Sequence, residues 1–118
     1  MFTREKPPEV VPAMITEATD LLLRSQNRDG GWGATASKQS NTESTAIAVT
    51  ALKTSAEKSA RESADRGVRW LTQHQNQDGS WPLSDTAKEG SWTTALAMIA
   101  LSEPAHREIS LKAARWLL

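Results

Sequence analysis

The chain has 118 residues with 14 basic and 14 acidic side chains, so it lacks the basic field that nucleic-acid binding needs. It has no cysteine, which excludes a disulfide frame, a thiolate nucleophile and a cysteine-ligated zinc. Mean hydropathy is −0.51, and the aromatic residues are five tryptophans and one phenylalanine, so the tryptophans must be anchors, platforms or both.

The opening MFTREKPPEVVP carries charges and prolines where a secretory signal needs an apolar run. No later stretch approaches the ~18 apolar residues of a membrane span, and the reading is a cytoplasmic protein. Residues 1–12 are expected as a loose lead-in, because Pro7, Pro8 and Pro12 remove backbone donors and push their predecessors to extended geometry. The domain proper then covers residues 13–118. A first helix is expected from Pro12 or Ala13, with Met14, Ala18, Leu21, Leu22 and Ser25 on one stripe. Arg28-Asp29-Gly30-Gly31 ends it, since Asp-Gly favours a turn and glycine accepts positive φ. Residues 33–41 read as a loop, with Asn41 or Thr42 as N-cap of a second, alanine-rich helix running to Leu52. A third helix is expected from about Ser59 to Gln75, with Val68 and Leu71 on one face and Arg61, Glu62, Asp65, Arg66 and Arg69 solvated. After Trp81 a polar loop is expected from Leu83 to Gly90. A fourth helix then opens at Ser91 or Trp92, and a fifth begins near Ala105 or Ser110.

These elements repeat. Leu22, Gln26, Asn27, Asp29, Gly30 and Trp32 lie 49 positions before Leu71, Gln75, Asn76, Asp78, Gly79 and Trp81 (81 − 32 = 49). The same offset carries Thr45, Ala46, Ala48, Ala51 and Leu52 onto Thr94, Ala95, Ala97, Ala100 and Leu101. Two copies of a helix-turn-helix unit therefore make up most of the chain. A third begins at Lys112-Ala113-Ala114-Arg115-Trp116-Leu117, which copies Arg66 to Leu71 at an offset of 46. Its glutamine and tryptophan would fall at 117 + 4 = 121 and 117 + 10 = 127, and the expectation is a piece of a longer repeat protein. About three units are usually needed for stability, so self-association, or pairing with the remainder of a barrel, is also expected.

The stretch RGVRWLTQHQNQDGSW, from Arg66 to Trp81, resembles the QW repeat of squalene-hopene and oxidosqualene cyclases. Arg66, Gly67, Trp70, Leu71, Gln75, Gly79 and Trp81 match the motif at every position. The first copy keeps Leu22, Gln26, Gly30 and Trp32 but has Glu17 for the basic residue and Leu21 for the aromatic. The resemblance implies an all-α fold of α/α toroid type, shared by terpenoid cyclases and protein prenyltransferases. Here it would be a partial, open barrel of about four helices and an incomplete fifth, with outer helices ending at Gln26 and Gln75 and alanine-rich inner ones. Gln26, Gly30, Trp32, Trp70, Gln75, Gly79 and Trp81 are then structural. Each glutamine is expected to bond free backbone donors at the start of the next helix, under a shielding tryptophan ring.

Triterpene cyclases of this kind are isomerases that protonate their substrate from a DxDDTA motif. The matching stretch here is Asn41-Thr42-Glu43-Ser44-Thr45-Ala46, which leaves Glu43 as the one candidate acid. Flanked by Asn41 and Ser44 instead of carboxylates, it lacks the neighbours that such an acid needs, and stabilising the helix dipole is its other reading. In the second copy Trp92 stands at that position, the candidate substrate contact at the head of an inner helix. Asp29 and Asp78 are explained by their turns, His74 and His106 lack partners at ligand spacing, and neither a metal nor a cofactor is expected. The resemblance implies an isoprenoid or triterpenoid partner and the peripheral membrane attachment known in the family, without locating it. Two readings stay open. One is a fragment or divergent member of the cyclase family, inactive alone; the other is a non-catalytic α/α repeat scaffold for binding or assembly.

Overall fold

The computed structural model describes residues 10–84 and 86–118. Five α-helices dominate it: α1 (Val10–Ser25), α2 (Thr42–Leu52), α3 (Lys58–His74), α4 (Thr93–Ala100) and α5 (Arg107–Leu117), the last entered through a 3-10 turn at Pro104–His106. The architecture is all-α, as expected, with one exception. Where a loop was expected from Leu83 to Gly90, β1 (Pro82–Ser84) and β2 (Ala87–Gly90) pair antiparallel, with Pro82 opposite Gly90. The ribbon is tied back to the turn before it, because the Asn76 side-chain amide donates to the Lys88 carbonyl at 2.9 Å. No propensity signal in PLS or AKEG marks these strands.

The helices form two layers. α2 and α4 pack side by side, α3 covers α2, α5 covers α4, and α1 touches both α2 and α3. Alanines permit the close approach: Ala46 and Ala48 on α2 and Ala97 and Ala100 on α4 are buried. Leu52, Leu71, Leu101 and Val49 fill the space between, each at 0 % exposure. Burial on this scale is worth about 1.5–3 kcal/mol per side chain. Asn41 caps α2 by accepting from the Ser44 N–H at 2.7 Å, as its position predicts.

One boundary and one face differ from expectation. α1 starts at Val10, because Pro12 falls in its first turn, where a missing N–H costs no helical bond; the rest of the expected lead-in, residues 1–9, lies outside the described residues. The stripe expected on α1 is only partly its buried face. Thr19 is buried and Leu22 and Leu23 half-buried, whereas Met14 and Leu21 are exposed at 44 % and 59 %. Adding 49 takes Met14, Glu17, Ala18 and Leu21 to Ser63, Arg66, Gly67 and Trp70, the side of α3 that meets the preceding unit. On α1 the described residues place no unit there.

Candidate functional site

The repeated turn is built twice with nearly the same bonds. In the first unit Asn27 N–H donates to the Gly31 carbonyl at 2.9 Å and Gly30 N–H to the Asn27 carbonyl at 3.0 Å. In the second, Asn76 and Gly79 repeat this with Ser80 and Asn76 at 2.8 and 3.0 Å. Gly30 and Gly79 have φ of 94° and 96°, the left-handed region that Asp-Gly predicts. Asp29 and Asp78 each accept the backbone N–H two residues on, at 2.9 Å.

The turns do more than reverse the chain. Each grips the outer helix of the next unit. The Gln26 amide nitrogen donates to the carbonyls of Gly30 (2.9 Å) and Ser63 (3.0 Å), and its oxygen accepts from the Ser63 hydroxyl and the Arg66 guanidinium, both at 2.8 Å. Gln75 donates likewise to Gly79 (3.0 Å) and Ile109 (3.2 Å). The expectation that these glutamines bond free backbone donors at the start of the next helix is therefore corrected. Their amide N–H groups go to carbonyls, one in the glutamine's own turn and one within α3 or α5, which the turn approaches from the side.

The tryptophans complete the clasp. Trp32 and Trp81 are 3 % and 0 % exposed, and their indole N–H groups donate to the Leu22 and Leu71 carbonyls at 2.9 and 2.8 Å. Both backbone N–H groups donate to a threonine at the head of the following inner helix, Trp32 to Thr45 at 2.9 Å and Trp81 to Thr94 at 2.8 Å. Trp70 Nε1 crosses units to donate to the Asp29 carboxylate at 3.1 Å, and its ring stacks on His74 at 3.9 Å between centroids. Burial pushes the Asp29 carboxyl up, but bonds from Ser40, Gly31 N–H and Trp70 outweigh it and hold the group below its usual value. The Ser80 hydroxyl and N–H lower Asp78 as well.

The roles of Asp29, Asp78, Thr45 and Thr94 exceed what sequence reasoning assigned them. The available signal was recurrence at 49 positions, with a threonine at the head of each alanine-rich helix.

Above the clasp, the heads of α2 and α4 bear the candidate residues. Glu43 lies in the first turn of α2, half-buried, with no hydrogen bond or ion pair to any described residue. Trp92 precedes α4 and is 59 % exposed. Both inner helices carry a further open apolar side chain, Ile47 at 53 % and Ile99 at 57 %. Beside α2 a hollow of about 330 Å³ is lined mostly by apolar groups, among them Leu21, Leu22, Trp32, Ile47 and Ala48. Trp92 does not line it. No group of three His, Cys, Asp or Glu among the described residues can hold a metal ion. Among the described residues no helix is long and apolar enough to cross a membrane.

Among known families, the model described as the squalene-hopene cyclase C-terminal domain matches residues 5–91. No curated protein and no solved structure matches the chain significantly.

Proposed function

The chain belongs to the squalene-hopene cyclase C-terminal domain family, and from that premise we propose that it is a fragment or divergent member whose inner-helix face receives an isoprenoid or triterpenoid. The observation that carries this reading is the open apolar face of the inner helices, where Ile47, Trp92 and Ile99 are each more than half exposed while the clasps bury Trp32 and Trp81. A flat aromatic beside branched aliphatic groups suits a fused-ring or polyprenyl hydrocarbon by area and shape.

The chain binds such a molecule without cyclising it. Protonating an alkene takes an acid whose conjugate base is stabilised by neighbouring donors, and Glu43 has no partner among the described residues. Asn41 spends its side-chain oxygen on the Ser44 N–H. The toroid-type cavity that encloses such chemistry in the family also requires more inner helices than α2 and α4.

The test is a titration of the whole chain with a detergent-solubilised triterpenoid alcohol, read by tryptophan fluorescence. Saturable quenching that Trp92→Ala abolishes supports the reading. Quenching that survives this substitution, or none in a folded chain, refutes it. Incubation with squalene followed by product analysis checks the second half, and any cyclised product overturns the assignment of silence. The partnerless Glu43 equally favours a non-catalytic repeat scaffold, which predicts neither product nor triterpenoid binding.

A further inference from the structure

The repeat sets different side chains at one place in its two units. Subtracting 49 takes Trp70 and His74 to Leu21 and Ser25. In the second unit the Trp70 indole is 4 % exposed and stacks on the half-buried His74 ring at 3.9 Å, with 15° between the planes. In the first unit both rings are missing. Leu21 and Ser25 border the hollow of about 330 Å³ beside α2 instead.

The walls of this hollow are set in advance. Leu21, Leu22 and Ser25 come from α1, Ile47 and Ala48 from α2, and Trp32 from the clasp, where its backbone and indole N–H groups are both bonded. Residues 33–36 close another side. They run into a turn in which the Lys38 N–H donates to the Thr35 carbonyl at 3.1 Å and Ser37 takes a φ of 70°. The Asn27 amide donates to the Lys38 carbonyl at 2.7 Å and ties that turn to the clasp. A residue other than glycine stays in the left-handed region only where its surroundings hold it, and such positions cluster at ligand sites.

Chemistry and size limit the occupant. Among the described residues that line the hollow none is acidic or basic, so a charged molecule would lose water without gaining a counter-ion. The volume lies at the low end of the roughly 300–1,000 Å³ of small-molecule sites, which admits one or two rings and leaves out a fused triterpenoid skeleton. We propose that the hollow beside α2 binds a small, uncharged, flat aromatic molecule of indole size, seated where the Trp70 and His74 rings stand one unit later. The Ser44 hydroxyl borders the hollow and makes no side-chain hydrogen bond to a described residue, which leaves it to accept the polar hydrogen of the occupant. This inference does not rest on the inner-face reading, since Trp92 does not line the hollow.

Titrating the isotope-labelled whole chain with indole, and following its amide and indole N–H signals by NMR, tests the assignment. Saturable shifts are expected at the Trp32 indole, Ser44 and residues 33–36, with a Kd of about 0.1–1 mM for so small a ligand. Cyclohexylmethanol, an aliphatic ring with one hydrogen-bonding group, should bind about fivefold more weakly because it has no π face. Leu21→Trp with Ser25→His rebuilds the ring pair of the second unit and should weaken indole binding about tenfold or more. Leu21 is 59 % exposed, so the larger side chain is tolerated there. Ser44→Phe should block the hollow from the α2 side, and the spectra of both variants show whether they stay folded. Absent shifts, shifts centred on Trp92 or Ile99, equal affinity for cyclohexylmethanol, or unchanged affinity in either variant that stays folded would each overturn the proposal.

Discussion

Gly67→Ala sets two effects of opposite sign against each other at one carbon atom. Gly67 lies inside α3, where alanine is favoured over glycine by about 1 kcal/mol. A Cβ at this position would stand 2.4 Å from Val49 Cγ2 and 2.9 Å from Trp32 Cζ3. Ordinary contact begins at 3.4 Å, so the first shortfall is 3.4 − 2.4 = 1.0 Å. Neither neighbour yields easily. Val49 is β-branched in a helix, with one strongly preferred rotamer, and 0 % exposed. Trp32 is pinned through its backbone and indole N–H groups at 2.9 Å each. Overpacking of this kind costs about 1–3 kcal/mol, and with both walls fixed the upper end applies. The expected net loss is about 2 kcal/mol, since the propensity gain offsets about one third of the clash. The melting midpoint should drop by roughly 8 °C for a domain of this size. Val49→Ala removes the nearer wall, so the double variant should be more stable than the sum of the single losses by about 1–2 kcal/mol. Urea unfolding of the four proteins measures the cycle. A rise in stability for Gly67→Ala, or strict additivity, would refute the reasoning. The third copy offers an internal control, for there Ala113 occupies the glycine position at 0 % exposure, with Met98 in place of Val49.

Trp70→Phe keeps a ring to stack on His74 but deletes the indole donor to Asp29, and should cost about 1–2 kcal/mol, with the Asp29 carboxyl rising toward its usual value. A change below a few tenths in urea unfolding would show that the cross-unit bond contributes nothing. Acid should weaken the fold through both turn aspartates. Their folded values lie below the usual 3.8, so the stability they contribute is complete above that pH and is lost as pH falls through the lower folded values. The midpoint in thermal melts should start to fall as pH drops below about 4, and the fall should be shallower in Asp29→Asn with Asp78→Asn. An equal slope in the double variant would remove these groups from the account. Trp92→Ala, at 59 % exposure, should change stability by less than about 0.5 kcal/mol even where it abolishes ligand binding.

The clasp was legible in the sequence because its parts recur at one spacing, and a repeated Gln, Gly and Trp cannot be put down to local propensity. What the glutamine touches was not legible. Gln26 reaches Ser63, 37 positions along, and the approach of the turn to the side of α3 makes carbonyls its nearest partners instead of the free donors at the helix start. The short ribbon of β1 and β2 was hidden for a related reason: it is held by Asn76 and by the Ser91 N–H bond to the Trp81 carbonyl at 3.0 Å, not by any preference of its own residues. The α1 stripe was only partly right, because apolar spacing reports which face can be buried: Leu22 is half-buried against the core while Leu21 stays 59 % exposed.

The clasp also explains why the candidate residues differ between units while their surroundings do not. Thr45 and Thr94 each receive a tryptophan backbone N–H, at 2.9 and 2.8 Å, which fixes the heads of α2 and α4 in the same way. Glu43 and Trp92 stand two residues earlier, on turns whose position is set by those threonines and not by their own side chains. Neither makes a side-chain hydrogen bond to a described residue, so each can change without disturbing the unit below it. A carboxylate in one unit and an indole in the next is the variation such a scaffold permits at no structural cost. If the heads were part of the framework, replacing Glu43 by Trp and Trp92 by Glu together would unfold the chain. The clasp predicts that this exchange leaves the melting midpoint within about 2 °C.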